Sequence, residues 1–159
     1  MNRNFTKPNI SCYDKALDLL ARRAHSRAEL ERKLLEHGCP KEETNRTLER
    51  LTAARLIDDQ AYAEHQTERM MKGKGFAPRR IAQELRRRGV DAEAIETTLE
   101  AMEDYDPRAA VSALIERKFA RDLDTEKGRR RVVNALIRMG YDWQNIRAAM
   151  REYEDTEEI

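Results

Sequence analysis

The sequence predicts an all-α protein made of three tandem three-helix units, about nine helices in all, and three observations carry that prediction. A helix-glycine-helix phrase recurs: Leu34 stands four residues before Gly38, Leu85 before Gly89 and Leu136 before Gly140, and the glycines lie 51 residues apart. The apolar register repeats around each glycine, with Leu30, Ile81 and Val132 eight residues before it and Cys39, Val90 and Tyr141 directly after it. Ten residues after it stand Leu48, Leu99 and Met150; six after it stand Thr44, Ile95 and Ile146, so only the first copy departs from the apolar pattern. Finally, no stretch alternates apolar and polar residues and no Asn-Gly or Asp-Gly turn occurs, so no strand competes. A period this regular in 159 residues indicates stacked helical units, none able to bury its apolar face alone.

The expected organisation is a flexible arm over 1–12, units over 13–57, 58–105 and 106–153, and a frayed acidic tail over 154–159. A first helix over 13–23 places Ala16, Leu17, Leu20 and Ala21 on one stripe. Ser26 and Glu29 have the spacing of a capping box, in which each satisfies the other's backbone amide, with His25 and Leu30 as the accompanying staple. The second helix directs Leu30, Leu34 and Leu35 inward and stops at Gly38, the residue type that best tolerates a left-handed C-terminal turn. Pro40 opens a third helix over 40–54 that buries Leu48 and Leu51. Asp58 then caps the next helix, with Ile57 and Tyr62 as its staple. The Asp58-Asp59 pair could alternatively ligate a metal, but no further carboxylate or histidine stands at ligand spacing.

The second unit begins with a helix over 59–71, which the glycines of the 72–77 connector break. Neither common phosphate-binding loop is present, since there is no GxxxxGK and no preceding strand; the connector reads as a turn with solvated lysines, docked by Phe76. Pro78 starts and Gly89 ends the central helix, and Asp91 caps its successor. In the third unit Asp106-Pro107 opens a helix with Ala110, Val111, Leu114, Ile115 and Phe119 on its apolar face. A helix over 125–139 buries Val132, Val133, Leu136 and Ile137. Tyr141 and Ile146 then staple the last helix, and Tyr141 and Trp143 read as packing residues in preference to base-stacking ones.

Charged residues make up 38% of the chain and aromatic residues 6%, and the formal net charge is only +1. That balance conceals segregation. Residues 69–88 hold eight basic side chains (Arg69, Lys72, Lys74, Arg79, Arg80, Arg86, Arg87 and Arg88) against one acid, Glu84, whereas 91–106 hold seven acids and no Lys or Arg. At about 100° per residue, with Ile81 and Leu85 facing inward, Arg79 and Arg86 point away from the core. Arg80 and Arg87 flank them, and Arg88 turns back to the core edge. Such a surplus either faces a polyanion or neutralises the acidic helix that follows. Arg129, Arg130 and Arg131 form a smaller cluster in the equivalent helix of the third unit and would prolong the basic stripe.

Catalysis is disfavoured: His25, His37 and His65 are isolated, and no GxSxG, HExxH or Walker sequence is present. No cofactor or metal is expected. Two cysteines without a CxxC partner, together with no apolar leader, point to a reducing cytoplasm, and no apolar run is long enough to span a membrane. Glycine-broken helix pairs also resemble helix-turn-helix readers, but Lys41-Glu42-Glu43 and Asp91-Ala92-Glu93 stand where phosphates would be met. Only Asp142-Trp143-Gln144-Asn145 offers base-reading groups.

Three further elements, read together, resemble the motif series of the bacterial RecX regulatory proteins. They are Ser26-Arg27-Ala28-Glu29-Leu30 with Lys33-Leu34 and Gly38; Leu56-Ile57-Asp58-Asp59 with Tyr62-Ala63; and Pro78-Arg79-Arg80-Ile81 with Glu84-Leu85 and Gly89-Val90. The resemblance runs from residue 13 to about 153; Ala77 stands where the family usually has the glycine of a Gly-Pro pair. It implies an elongated helical array of three three-helix repeats and a non-enzymatic modulator that binds the RecA filament, mainly inhibiting its ATPase, strand-exchange and co-protease activities. Stacked units give that array a curved surface, and with no heptad seam to require a dimer a monomer is expected. On this reading Arg69, Lys72, Lys74, Arg79, Arg80, Arg86, Arg87, Arg129, Arg130 and Arg131 form the contact surface, with single-stranded or duplex DNA as a further partner. The alternative from another class is a general helical DNA-binding or nucleoid-associated protein acting without RecA.

Overall fold

Each helix starts where the chain supplies a short oxygen-bearing side chain or a proline, which satisfies or removes amides that have no intrahelical partner. The computed structural model describes residues 10–157, with side chains through 153, so the expected arm up to residue 9 and the last two residues of the tail lie outside the described residues. Among the described residues there are nine α-helices and no strand: α1 (Cys12–Arg22), α2 (Arg27–Glu36), α3 (Lys41–Ala53), α4 (Asp59–Arg69), α5 (Pro78–Arg87), α6 (Ala92–Glu100), α7 (Pro107–Leu114), α8 (Glu126–Arg138) and α9 (Trp143–Glu157). The side chains of Ser11, Ser26, Asp58, Asp91, Asp106 and Thr125 accept from amides in the first turns that follow them. Asp142 does the same for the Asn145 amide at 2.9 Å.

The apolar positions gather into three separate clusters. Leu30, Leu34, Leu48 and Leu51 centre the first; Tyr62, Ile81, Leu85 and Ile95 the second; Val111, Leu136, Tyr141 and Ile146 the third. Helices α1 to α3, α4 to α6 and α7 to α9 pack mainly among themselves.

The middle helices of the three groups abut end on end, and these joints repeat with the period of the sequence. The Ser26 hydroxyl, at the start of α2, donates to the Arg88 carbonyl at the end of α5 at 2.5 Å. One period later the Ala77 amide, at the start of α5, donates to the Met139 carbonyl at the end of α8 at 2.9 Å. Ala77 thus joins the third cluster. A carbonyl-rich C-terminus meets an amide-rich N-terminus at both joints, a favourable dipole arrangement. Close approach requires glycine there: a Cβ on Gly89 would stand 2.5 Å from the Ala28 Cβ, and one on Gly140 would stand 2.9 Å from the Arg80 amide nitrogen.

Several expectations are corrected. Gly73 does not break the helix after α4; the chain continues through a π-helical turn, Met70–Lys74, and leaves it at Gly75, where φ is 72°. One glycine inside a helix costs only about 1 kcal/mol, which tertiary packing can offset, and Gly75 lies against Leu114. A second π-helical turn, Ile115–Phe119, follows α7. Leu35 and Ile137, expected inside, are 39% and 49% exposed, and Ala21 is exposed too, because the interior admits a narrower stripe than the apolar runs offer. Trp143, expected to pack, is 55% exposed, since it occupies the first position of α9 on the side away from the third cluster. The tail is helical through Glu157. Cys12, expected within the arm, starts α1, and it is joined by a disulfide to Cys39, with the Cα atoms 5.9 Å apart. The expectation of unpaired thiols is thereby overturned, and the cysteines no longer argue for a reducing compartment. The pair is not written as a local motif because the two residues lie 27 apart and meet only when α1 folds against the turn after α2.

Candidate binding surface at the central helix

Helix α5 is held in register by Ile81, Ala82 and Leu85, all buried, which leaves Arg79, Gln83, Arg86 and Arg87 exposed. The acid in its sequence is not a bystander. Glu84 lies four residues after Arg80 and three before Arg87, the spacings at which helix side chains meet. Its carboxylate accepts from Arg80 at 2.8 Å and from Arg87 at 2.8 Å. The Arg87 hydrogen bond overcomes the opposing effect of burial and, with the charges of Arg87, Arg80 and Arg88, holds the Glu84 carboxyl below its usual range. Arg80 is half-buried at the joint with α8, its guanidinium 5.4 Å from the Phe76 ring centroid.

The other expected contact residues divide in the same way. Lys72 pairs with Glu68 at 2.5 Å, and Lys74 lies 5.3 Å from the Phe76 ring centroid. In α8, Arg130 pairs with Glu126 and Arg131 with Asp122, and Arg129 is also engaged within the protein. These three sit at the start of α8, whose opposite end meets α5, so about 12 Å of helix rise separates them from that joint. Among the described residues, Arg79 and Arg86 have no carboxylate partner, and no ion pair ties any α5 arginine to the acidic stretch 91–106.

A polar network that the sequence reading missed occupies the joint between the first and second groups. Ser26 caps α2 by accepting from the Glu29 amide at 3.1 Å, but the Glu29 side chain does not complete a capping box. Its Oε2 instead accepts from Arg23 at 3.1 Å and from the Tyr62 hydroxyl at 3.3 Å. Arg88 donates to the Tyr62 hydroxyl and to Gln66. Burial alone would raise the Glu29 carboxyl; the hydrogen bond and charge of Arg23 outweigh it, and the group is held below its usual range. On the other side of the joint, Asp58 caps α4 and Asp59 accepts from the Arg27 amide at 2.8 Å. Burial, assisted by the nearby Asp91 charge, raises Asp59. Among the described residues, no group of three or more His, Cys, Asp or Glu side chains could hold a metal ion.

His25 lies in the same joint with its Nδ1 3.5 Å from Glu29. Burial first, and then the Arg23 charge, depress its pKa below 6.5 despite the opposing pull of Glu29. Between the depressed value and 6.5 the unfolded chain binds the proton and the folded chain does not, so the sign is fixed. The contribution is fully present above about pH 6.5 and is lost as the pH falls through the folded-state pKa. Urea unfolding at a series of pH values should show stability dropping below that point, and His25→Gln should flatten this part of the curve.

The family comparison agrees with this helix order. The model of the first three-helix domain of RecX matches residues 12–51, and that of the second three-helix domain matches 58–99. The chain belongs to the RecX family. A regulatory protein RecX from Xanthomonas citri is 39% identical over 139 residues, covering 86% of this chain and 84% of that one. One from Mycolicibacterium smegmatis is 38% identical over 132 residues, covering 79% and 70%. The crystal structure of RecX from Lactobacillus salivarius superposes with a TM-score of 0.74 at 23% identity, covering 90% of this chain and 94% of that one; at that identity it supports the fold. RecX is a family of regulatory proteins, and no helix among the described residues is long and apolar enough to cross a membrane.

Proposed function

We propose that this RecX protein is a non-enzymatic, monomeric regulator that acts in the cytoplasm on the RecA filament and mainly inhibits its ATPase, strand-exchange and co-protease activities. Family membership carries the reading. The residue-level support is that Arg79 and Arg86 protrude from α5 without a carboxylate partner among the described residues, so their charge is available to a polyanionic or acidic surface. The working units of the array are 13–57, 58–105 and 106–153, and the segregated charge lets the protein meet basic and anionic surfaces at once.

The test is RecA-dependent ATP hydrolysis on single-stranded DNA with wild-type protein and with the Arg79→Glu, Arg86→Glu double variant. Both positions are exposed, so helicity should be unchanged, and reversal should weaken inhibition by about tenfold or more, as expected when charge pairs across an interface are turned repulsive. Full inhibition by the variant would remove this surface from the interface. An absence of inhibition by the wild type, with tight duplex binding in the absence of RecA, would favour a general DNA-binding protein instead.

A further inference from the structure

The first and second helix groups do not close completely on each other. Above the Glu29 network a cleft of about 560 Å³ remains, lined by Arg23 and Arg32 from the first group and by Arg69, Arg87, Arg88 and His65 from the second. That volume falls within the range of small-molecule sites. Glu29 is the sole carboxylate in its lining, and both Arg23 and the Tyr62 hydroxyl already draw on it. Arg32 is 64% exposed and has only a 3.7 Å pairing with Glu36; Arg69 has no carboxylate partner among the described residues. Arg88 spends one terminal nitrogen on Tyr62 and Gln66, while its buried Nε has no acceptor. Arg87 is also tied to Glu84 at 2.8 Å. Five guanidinium groups therefore converge on a space whose own lining supplies one carboxylate, and among the described residues Arg69 lacks a carboxylate partner and the Arg88 Nε lacks an acceptor.

We propose that this cleft is a phosphodiester-binding site that seats the backbone of a single-stranded nucleic acid between Arg23 and Arg32 on one side and Arg69, Arg87 and Arg88 on the other. Planar guanidinium groups match the oxygens of a phosphate in pairs. The lining offers only Ala24 as an apolar side chain, which gives an acidic peptide no pocket for the hydrophobic anchors that such segments use. A duplex is too stiff to enter a recess between two helix groups, whereas a single strand bends into it. Arg87 belongs both to the cleft and to the exposed face of α5, so a strand leaving the cleft would run onto Arg86. Because the ligand would touch both groups, binding would also fix the angle between them. The site is a property of the protein alone and does not depend on the RecA reading.

The test measures fluorescence anisotropy of a labelled oligothymidylate with the purified full chain, without RecA, across a salt series. The Arg32→Glu, Arg69→Glu double variant should bind about tenfold or more weakly than an Arg46→Glu, Arg151→Glu control with the same change in charge. Its dependence of log affinity on log salt should be shallower by about 0.7 for each phosphate that is no longer neutralised. Circular dichroism checks that both variants keep their helicity; if charge reversal unfolds the chain, Arg32→Gln, Arg69→Gln carries the comparison. Equal weakening of variant and control, or no weakening of either, would overturn the proposal. So would displacement of the oligonucleotide by ATP at matched ionic strength, which would make the ligand a free polyphosphate. Tighter binding of polyglutamate, abolished by the same double variant, would overturn it in favour of an acidic protein partner.

Discussion

Leu34→Ala and Leu136→Ala should each destabilise the protein by about 2 to 5 kcal/mol, whereas Leu35→Ala and Ile137→Ala, one residue further along the same helices, should each change stability by less than about 0.5 kcal/mol. Leu34 and Leu136 are fully buried at the centres of the first and third clusters, so truncation leaves a cavity that neighbouring helices can fill only in part. Leu35 and Ile137 are 39% and 49% exposed, so truncation opens onto solvent and leaves no enclosed cavity, and alanine is at least as good a helix former. Urea unfolding followed by circular dichroism measures all four. Because the three clusters are separate, truncation at Leu136 should loosen α7 to α9 before α1 to α3, which amide hydrogen exchange resolves residue by residue. Comparable destabilisation at Leu35 and Leu34 would mean that the first group packs with a different face of α2.

Alanine at the three repeated glycines should have unequal effects although the sequence context is the same. Gly38, Gly89 and Gly140 have φ of 84°, 73° and 97°, so a side chain at any of them meets the left-handed backbone penalty of about 1 to 2 kcal/mol. At Gly38 nothing else is added, since no atom lies within 4 Å of the position a Cβ would take. At Gly140 that carbon would stand 2.7 Å from the Arg80 Cβ and 2.9 Å from its backbone nitrogen, and the start of α5 would have to move. Overpacking of this kind adds about 1 to 3 kcal/mol and should weaken the Ala77-to-Met139 hydrogen bond. Gly140→Ala should therefore be the more damaging of the two by at least about 1 kcal/mol in denaturant unfolding, and equal effects would show that the joint yields freely.

The difference between these glycines explains which features the sequence made legible. Helix starts were readable because they are local: an aspartate, serine or threonine and the amide it caps lie within three residues. The buried positions Leu30, Ile81 and Val132 were readable because a helix repeats every 3.6 residues and the whole phrase repeats every 51. Leu35, Ile137 and Trp143 were misplaced because periodicity marks a face as apolar without fixing how much of it a neighbour covers. The Glu84 clamp on Arg80 and Arg87 was present as i,i+3 and i,i+4 spacing, and it is the signal by which two of the expected contact arginines could have been recognised as internally paired.

By itself the sequence determined the all-α class, the repeat, the helix limits at most caps, and the family, all of which rest on interactions within a few residues or on a period. The tertiary structure alone decided that Ser26 reaches Arg88, that Cys12 meets Cys39, that Glu29 turns from its own helix cap to Arg23 and Tyr62, and that Arg23, Arg32, Arg69, Arg87 and Arg88 share one cleft. Most of those partners lie tens of residues apart along the chain, and what brings them together is the packing of whole helices and helix groups against one another, a relation that no local spacing encodes.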